Sequence, residues 1–140
     1  MTVQSTRGAE LAAAAAALAG APFRLHGRDP TIGLDCIGLL EAALAVTGHA
    51  ISLPRGYSLR NSDMSGLLPA PGALGFAPAI GAALCGDVVM TQPGPAQFHL
   101  AIALADGAFV HAHAGLRRVV IQPGPLSGAV IAHWRLLPAA

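Results

Sequence analysis

Lysine is absent from these 140 residues, and all eight basic side chains are arginine, set against seven acidic ones for a net charge of +1. A chain so balanced, with only 11% charged residues, carries no basic footprint for nucleic acid. Cysteine is scarce: Cys36 and Cys85 are too few for a disulfide scaffold and fit a reduced compartment, with one Cys36 to Cys85 bridge as the alternative. Long apolar runs are also missing. The hydrophobic fraction of 54% is inflated by alanine, and nothing approaches the roughly 20 strongly apolar residues of a membrane span. Residues 11–21 follow Arg7 and end in small residues, like the apolar part of a secretory signal. Glu10 interrupts the preceding region and alanine is weakly hydrophobic, so an alanine-rich helix is expected instead, in a chain made in the cytoplasm without an export signal of its own. The length suits one domain, 1–140, with one core.

The apolar and turn-forming residues order the chain. A first helix is expected over 6–19, N-capped by Ser5 or Thr6 and stopped by Gly20. Residues 21–33 hold Pro22, Gly27, Pro30 and Gly33 and read as a loop, with a turn at Asp29-Pro30-Thr31. A second, buried helix is expected from Cys36 to Thr47, with apolar residues at helical spacing and Gly48 as a left-handed stop. Residues 50–84, rich in proline and glycine, read as loop with one or two short helical turns, a length that usually signals function. Strands follow at 88–91, 98–104, 108–113, 117–122 and 130–136. Helices first and strands second define an α+β fold, with N-terminal helices on an antiparallel sheet of about five strands.

One turn decides whether the histidines of this sheet can work together. A two-residue Asp106-Gly107 loop would send His99 and His111 to opposite faces. A three-residue Ala105-Asp106-Gly107 loop with Gly107 left-handed pairs Leu104 with Ala108 and places His99, His111 and His113 on one face. The three-residue loop is the expectation.

Cys36 opens a helix, where unpaired N–H groups point outward, and an imidazole nearby would make its thiol a thiolate at neutral pH. His99 would supply that imidazole and protonate a leaving amine, and His111 would fix its tautomer and rotamer. The N–H of Cys36 with a neighbouring donor would form an oxyanion hole. That set describes a cysteine hydrolase. Each residue also has an ordinary structural role: a lone cysteine on an apolar helix is commonly a small core residue, and His99 in an apolar strand a hydrogen-bonded core histidine. His111 and His113 with Cys36 and His99 could instead ligate zinc, although the spacing matches no closed motif. Cys85, His26, His49 and His133 read as structural.

In order, Gly20-Ala21-Pro22-Phe23 with Gly27, Asp35-Cys36-Ile37-Gly38-Leu39, Gly86-Asp87-Val88-Val89, His99-Leu100-Ala101-Ile102 and Phe109-Val110-His111-Ala112 resemble the NlpC-type cysteine peptidases, papain-like hydrolases of peptidoglycan. Residues 111–120 further resemble the subgroup carried by phages and gene-transfer agents as tail-associated cell-wall peptidases. The resemblance implies Cys36 as nucleophile, His99 as base and His111 as third polar residue. It also implies cleavage of a stem-peptide amide between D-glutamate and a diamino acid, without metal or cofactor. Asp35 would lie near the subsite for a free amine, with Phe23, Ile37 and His113 as further substrate contacts. The family usually has Tyr in place of Phe23, Ser in place of Ile37 and a glycine pair in place of His26-Gly27, so two pocket hydroxyls are lost. A phage-tail-like binding or assembly protein with the same fold is therefore an alternative, as is a thiol-dependent acyl or amide transferase. Delivery to the wall by a phage-like particle or by lysis completes the expectation.

Overall fold

The computed structural model describes residues 3–48, 53, 75–94 and 98–137. Two helices, α1 (Val3–Ala17) and α2 (Cys36–Val46), precede most of the strands. A two-stranded ribbon, β1 (Arg28–Asp29) and β2 (Gly33–Leu34), lies between them. The main sheet contains β3 (Phe76–Pro78), β4 (Val88–Gln92), β5 (His99–Ala103), β6 (Ala108–His113), β7 (Arg118–Pro123) and β8 (Ala129–Leu136), in the order β3-β8-β4-β5-β6-β7 with every neighbouring pair antiparallel.

The fold is α+β as expected, with three local corrections. First, α1 begins at Val3 and ends at Ala17 rather than spanning 6–19. Nothing in Val3-Gln4 breaks a helix, and a cap preference of about 1 kcal/mol is easily overridden. At the other end, Leu18 and Ala19 bond three residues back, and Gly20, at φ 93°, donates its N–H to the Val119 carbonyl. Second, residues 21–33 are not all loop, because Arg28 pairs with Leu34 around the expected turn, in which Asp29 accepts from the N–H and hydroxyl of Thr31. Third, the sheet has six strands, since Phe76 pairs with Leu136 inside the segment read as loop. A three-residue edge strand ending in proline has too little alternation to be recognised. The rest of that expected loop, 50–52 and 54–74, lies outside the described residues, as does His49.

The helices cover one face of the sheet. Leu11 and Ala15 of α1, Leu39, Leu40 and Leu44 of α2, and Met90, Leu100, Ile102, Val110 and Val119 from the strands form one buried cluster. Each buried leucine contributes roughly 1.5–3 kcal/mol. Glycine lets α2 begin where it does: a Cβ on Gly38 would overlap the Gly27 carbonyl, so the loop backbone sits directly against the first helical turn. α2 ends as expected, with Thr47 as cap and Gly48 left-handed at φ 92°.

The hairpin joining β5 and β6 is the expected three-residue one. Ile102 pairs with Val110, Leu104 donates to the Ala108 carbonyl at 2.8 Å, and Gly107 has φ 83°. By alternation, Leu100 and Ile102 face the helices, while His99, His111 and His113 share the opposite face.

Candidate functional site

Asp35 positions the start of α2. Its backbone is extended, and its carboxylate accepts from Gly38 N–H at 2.8 Å and from His26 N–H at 2.8 Å, with Arg28 Nη1 at 3.4 Å. Arg28 also reaches Glu41 at 3.4 Å. Asp35 is wholly buried, and its carboxylate caps the helix. Ile37, likewise at 0% exposure, belongs to the apolar core.

Cys36 follows as the first residue of α2 and is only 3% exposed. Its sulfur faces the N–H of Leu100, the residue after His99. The β5 to β6 ladder runs no further than Ile102 and Val110, which leaves Leu100 N–H free to turn to the thiol. The Leu100 N–H thus points to where negative charge would develop on sulfur. Burial nevertheless dominates and pushes the thiol up to about 12, against the pull of Leu100 N–H, with the Asp35 charge adding to the rise. The expected resting thiolate is therefore corrected: a desolvated sulfur beside a carboxylate keeps its proton.

The histidines meet as the hairpin requires. His99 Nε2 lies 2.7 Å from His111 Nδ1, with the rings edge-on at 86°, and His113 is 5.6 Å from His111 between centroids. Burial pushes His99 down to about 4, assisted by the neighbouring His111 and His113, and burial also lowers His111. His99 is thus a neutral imidazole at pH 7, able to take a proton. His113, half-buried, accepts Leu116 N–H at 3.1 Å. Phe23, also half-buried, packs on the core and is held by Arg117 through its N–H.

One member of the site has no counterpart in the sequence reading. Gln122 Oε1 lies 2.7 Å from His111 Nε2. The signal was available: in the apolar run Val119-Val120-Ile121, Gln122 is the next polar residue, and the β6 to β7 register puts it diagonal to His111. Both nitrogens of His111 are consequently engaged. Among the described residues, no three histidine, cysteine, aspartate or glutamate side chains converge as metal ligands would.

The remaining residues read as structural separate clearly. Both cysteines are free thiols. Burial raises Cys85, which is half-exposed, helped by Asp87 and Asp106. His133 bonds to Asp87 at 2.7 Å beside Arg135.

A cysteine at the start of a helix, packed on an antiparallel sheet that carries paired histidines, defines the papain-like class of fold. Within it the chain belongs to the NlpC/P60 family, whose profile matches residues 20–132. Among solved structures, the NlpC/p60 domain of the peptidoglycan hydrolase SagA is 29% identical at a TM-score of 0.57, over 83% of this chain and 88% of that one. NlpC1 of Trichomonas vaginalis is 20% identical at a TM-score of 0.67, over 91% of this chain but only 44% of its own length. RipD of Mycobacterium tuberculosis, a non-catalytic NlpC/p60 protein adapted to peptidoglycan binding, is 19% identical at 0.58, over 96% and 97%. No curated protein sequence matches the chain. No helix among the described residues is long and apolar enough to cross a membrane.

Proposed function

We propose that the chain hydrolyses an amide bond in peptidoglycan stem peptides, between D-glutamate and a diamino acid, through Cys36, His99 and His111. The observation that carries the reading is the 2.7 Å contact between His99 and His111 on the strand whose next residue, Leu100, donates to the Cys36 thiol. With both groups neutral at rest, proton transfer accompanies attack. The Cys36 proton passes to His99 as sulfur adds to the carbonyl carbon, and the oxyanion is met by backbone N–H groups at the helix start. His99 returns that proton to the leaving amine, leaving a thioester on Cys36. Water then attacks the thioester, giving its proton to His99, and the thiol is re-formed as the acid departs. Phe23 and His113, both partly exposed, are the substrate contacts of this reading. Delivery to the wall by a phage-like particle or by lysis belongs to the same proposal.

The test is product analysis after incubation with purified muropeptides. The expected result is a new diamino-acid amine with wild type and none with Cys36→Ala.

A second reading, a peptidoglycan binder that does not cut, is favoured by the burial of Cys36 and its raised thiol pKa. It predicts co-sedimentation with cell-wall sacculi and no muropeptide products.

A further inference from the structure

We infer that Gln122 is a positioning residue that sets which nitrogen of His99 is free to act as base. The inference rests on the reading of Cys36 and His99 as nucleophile and base, and adds the residue that makes His99 competent. An amide oxygen carries no hydrogen and can only accept. Facing Gln122 Oε1 at 2.7 Å, His111 Nε2 must therefore carry the proton of that ring. A neutral imidazole has one N–H, so His111 Nδ1 is bare and accepts. Its partner at 2.7 Å is His99 Nε2, which must then be the protonated nitrogen of His99. His99 Nδ1 is left bare, the state a general base requires.

The whole relay depends on one oxygen. Turned by half a rotation, the Gln122 amide would donate instead, His111 would donate from Nδ1, and His99 would hold its proton on Nδ1 with no base left. The fold steadies the end of β7 that carries Gln122. Gln122 pairs with Phe109 in register, Pro123 pairs with Ala108, and Gly124 N–H reaches the Gly107 carbonyl at 3.1 Å. Burial keeps His99 and His111 neutral, so the relay holds at pH 7.

Three variants separate the outcomes: Gln122→Glu keeps only acceptors, Gln122→Leu removes both functions, and Gln122→Lys offers only donors. Histidine ring nitrogens are read by ¹⁵N NMR at pH 7.5, alongside kcat and KM on muropeptide. Wild type and Gln122→Glu should carry the proton on Nε2 of His99 and His111, and Gln122→Lys should carry it on Nδ1 of both. Gln122→Leu should lower kcat by roughly tenfold or more with KM little changed, as losses of orienting partners usually do. Gln122→Lys should lower it further, and Gln122→Glu should recover part of the loss. The acid limb of the Gln122→Glu pH profile should move to higher pH, because a carboxylate favours protonated His111. The other titratable or charged groups that face the relay are His113 on β6, beside His111, Arg118 on β7, paired in register with His113, and Cys36 at the start of α2, which the N–H of the residue after His99 meets. A wild-type His99 protonated on Nδ1, or a Gln122→Lys protein with unchanged tautomers and kcat, overturns the inference. The NMR result needs no turnover, so it decides the relay even if Cys36→Ala shows the hydrolase reading to be wrong. Conversely, a dead Cys36→Ala beside unaltered Gln122 variants removes the relay and leaves that reading in place.

Discussion

Two buried histidine arrangements occupy the same face of the sheet, and their partners differ. Toward β8, His133 bonds to Asp87, and Arg135 donates to the same carboxylate from Nε and Nη2, both at 2.9 Å. Burial alone would raise the Asp87 carboxyl, but bonds from Arg135, Leu84 N–H and His133 outweigh it and hold it below its usual range. Toward β6, among the described residues, His99 and His111 bond to each other and His111 to the neutral amide of Gln122, with His113 alongside. The first arrangement satisfies a charge within a fixed structure. The second keeps an imidazole neutral among neutral partners, which is what the proposed proton transfer needs. A carboxylate marks the structural histidine here, and a neutral amide stands by the pair that the proposed reaction would use.

The largest effect should come from the reactive side: His99→Ala should reduce amide hydrolysis by about 10²–10⁴-fold, the usual worth of a general base, with little change in melting temperature. On the structural side, Asp87→Asn should show the reverse. It leaves Arg135 and His133 without their buried partner and should cost about 3 kcal/mol in denaturant unfolding, with kcat per folded molecule retained. Equal effects of the two changes on activity would erase the distinction.

The pH dependence of stability sharpens it. His99 titrates lower in the folded protein, about 4, than its ordinary 6.5. The unfolded chain therefore binds the proton first, and stability is lost as pH falls from 6.5 toward 4, with a slope of up to about 1.4 kcal/mol per pH unit for this group. His99→Gln should flatten that slope. The Asp87 contribution, from a carboxyl depressed on folding, is complete above the ordinary value of 3.8 and is lost at lower pH, as the carboxyl takes up its proton in the folded state. Urea melts from pH 7 to 3 would resolve the two windows.

The smallest effect concerns the two thiols. Cys36 is buried and raised to about 12, whereas Cys85 is half-exposed. Iodoacetamide at neutral pH should modify Cys85 first, as mass spectrometry of the cysteine peptides would show. Faster labelling of Cys36 would mean that a thiolate is already present at rest.

What the sequence made legible was pattern with a local cause. Asp106-Gly107 limits the hairpin to a two- or three-residue loop, and the three-residue loop that forms, with Leu104 paired to Ala108, is the one that brings His99 and His111 to one face. Gly48 ends α2 where a left-handed residue must stand. Features that depend on distant partners were hidden. The β3 strand exists because Phe76 has Leu136 to pair with, and β1 because Arg28 faces Leu34. The capping role of Asp35 needed Gly38 N–H and the distant His26 N–H in place around its oxygens. The thiol of Cys36 followed the helix start in the sequence reading, yet its desolvation depends on how completely the core closes over it. Gln122 was visible as a polar residue in an apolar strand, but its role required the register of β7 against β6.

The central claim is that Cys36 forms a thioester with the acyl half of a stem peptide. Its direct measurement is acid quenching of the protein during muropeptide turnover, followed by mass mapping of the peptide containing Cys36. An acyl adduct of stem-peptide mass is expected on Cys36, absent from His99→Ala. Turnover that persists in Cys36→Ala, with no adduct on Cys36 in the wild type, would contradict it.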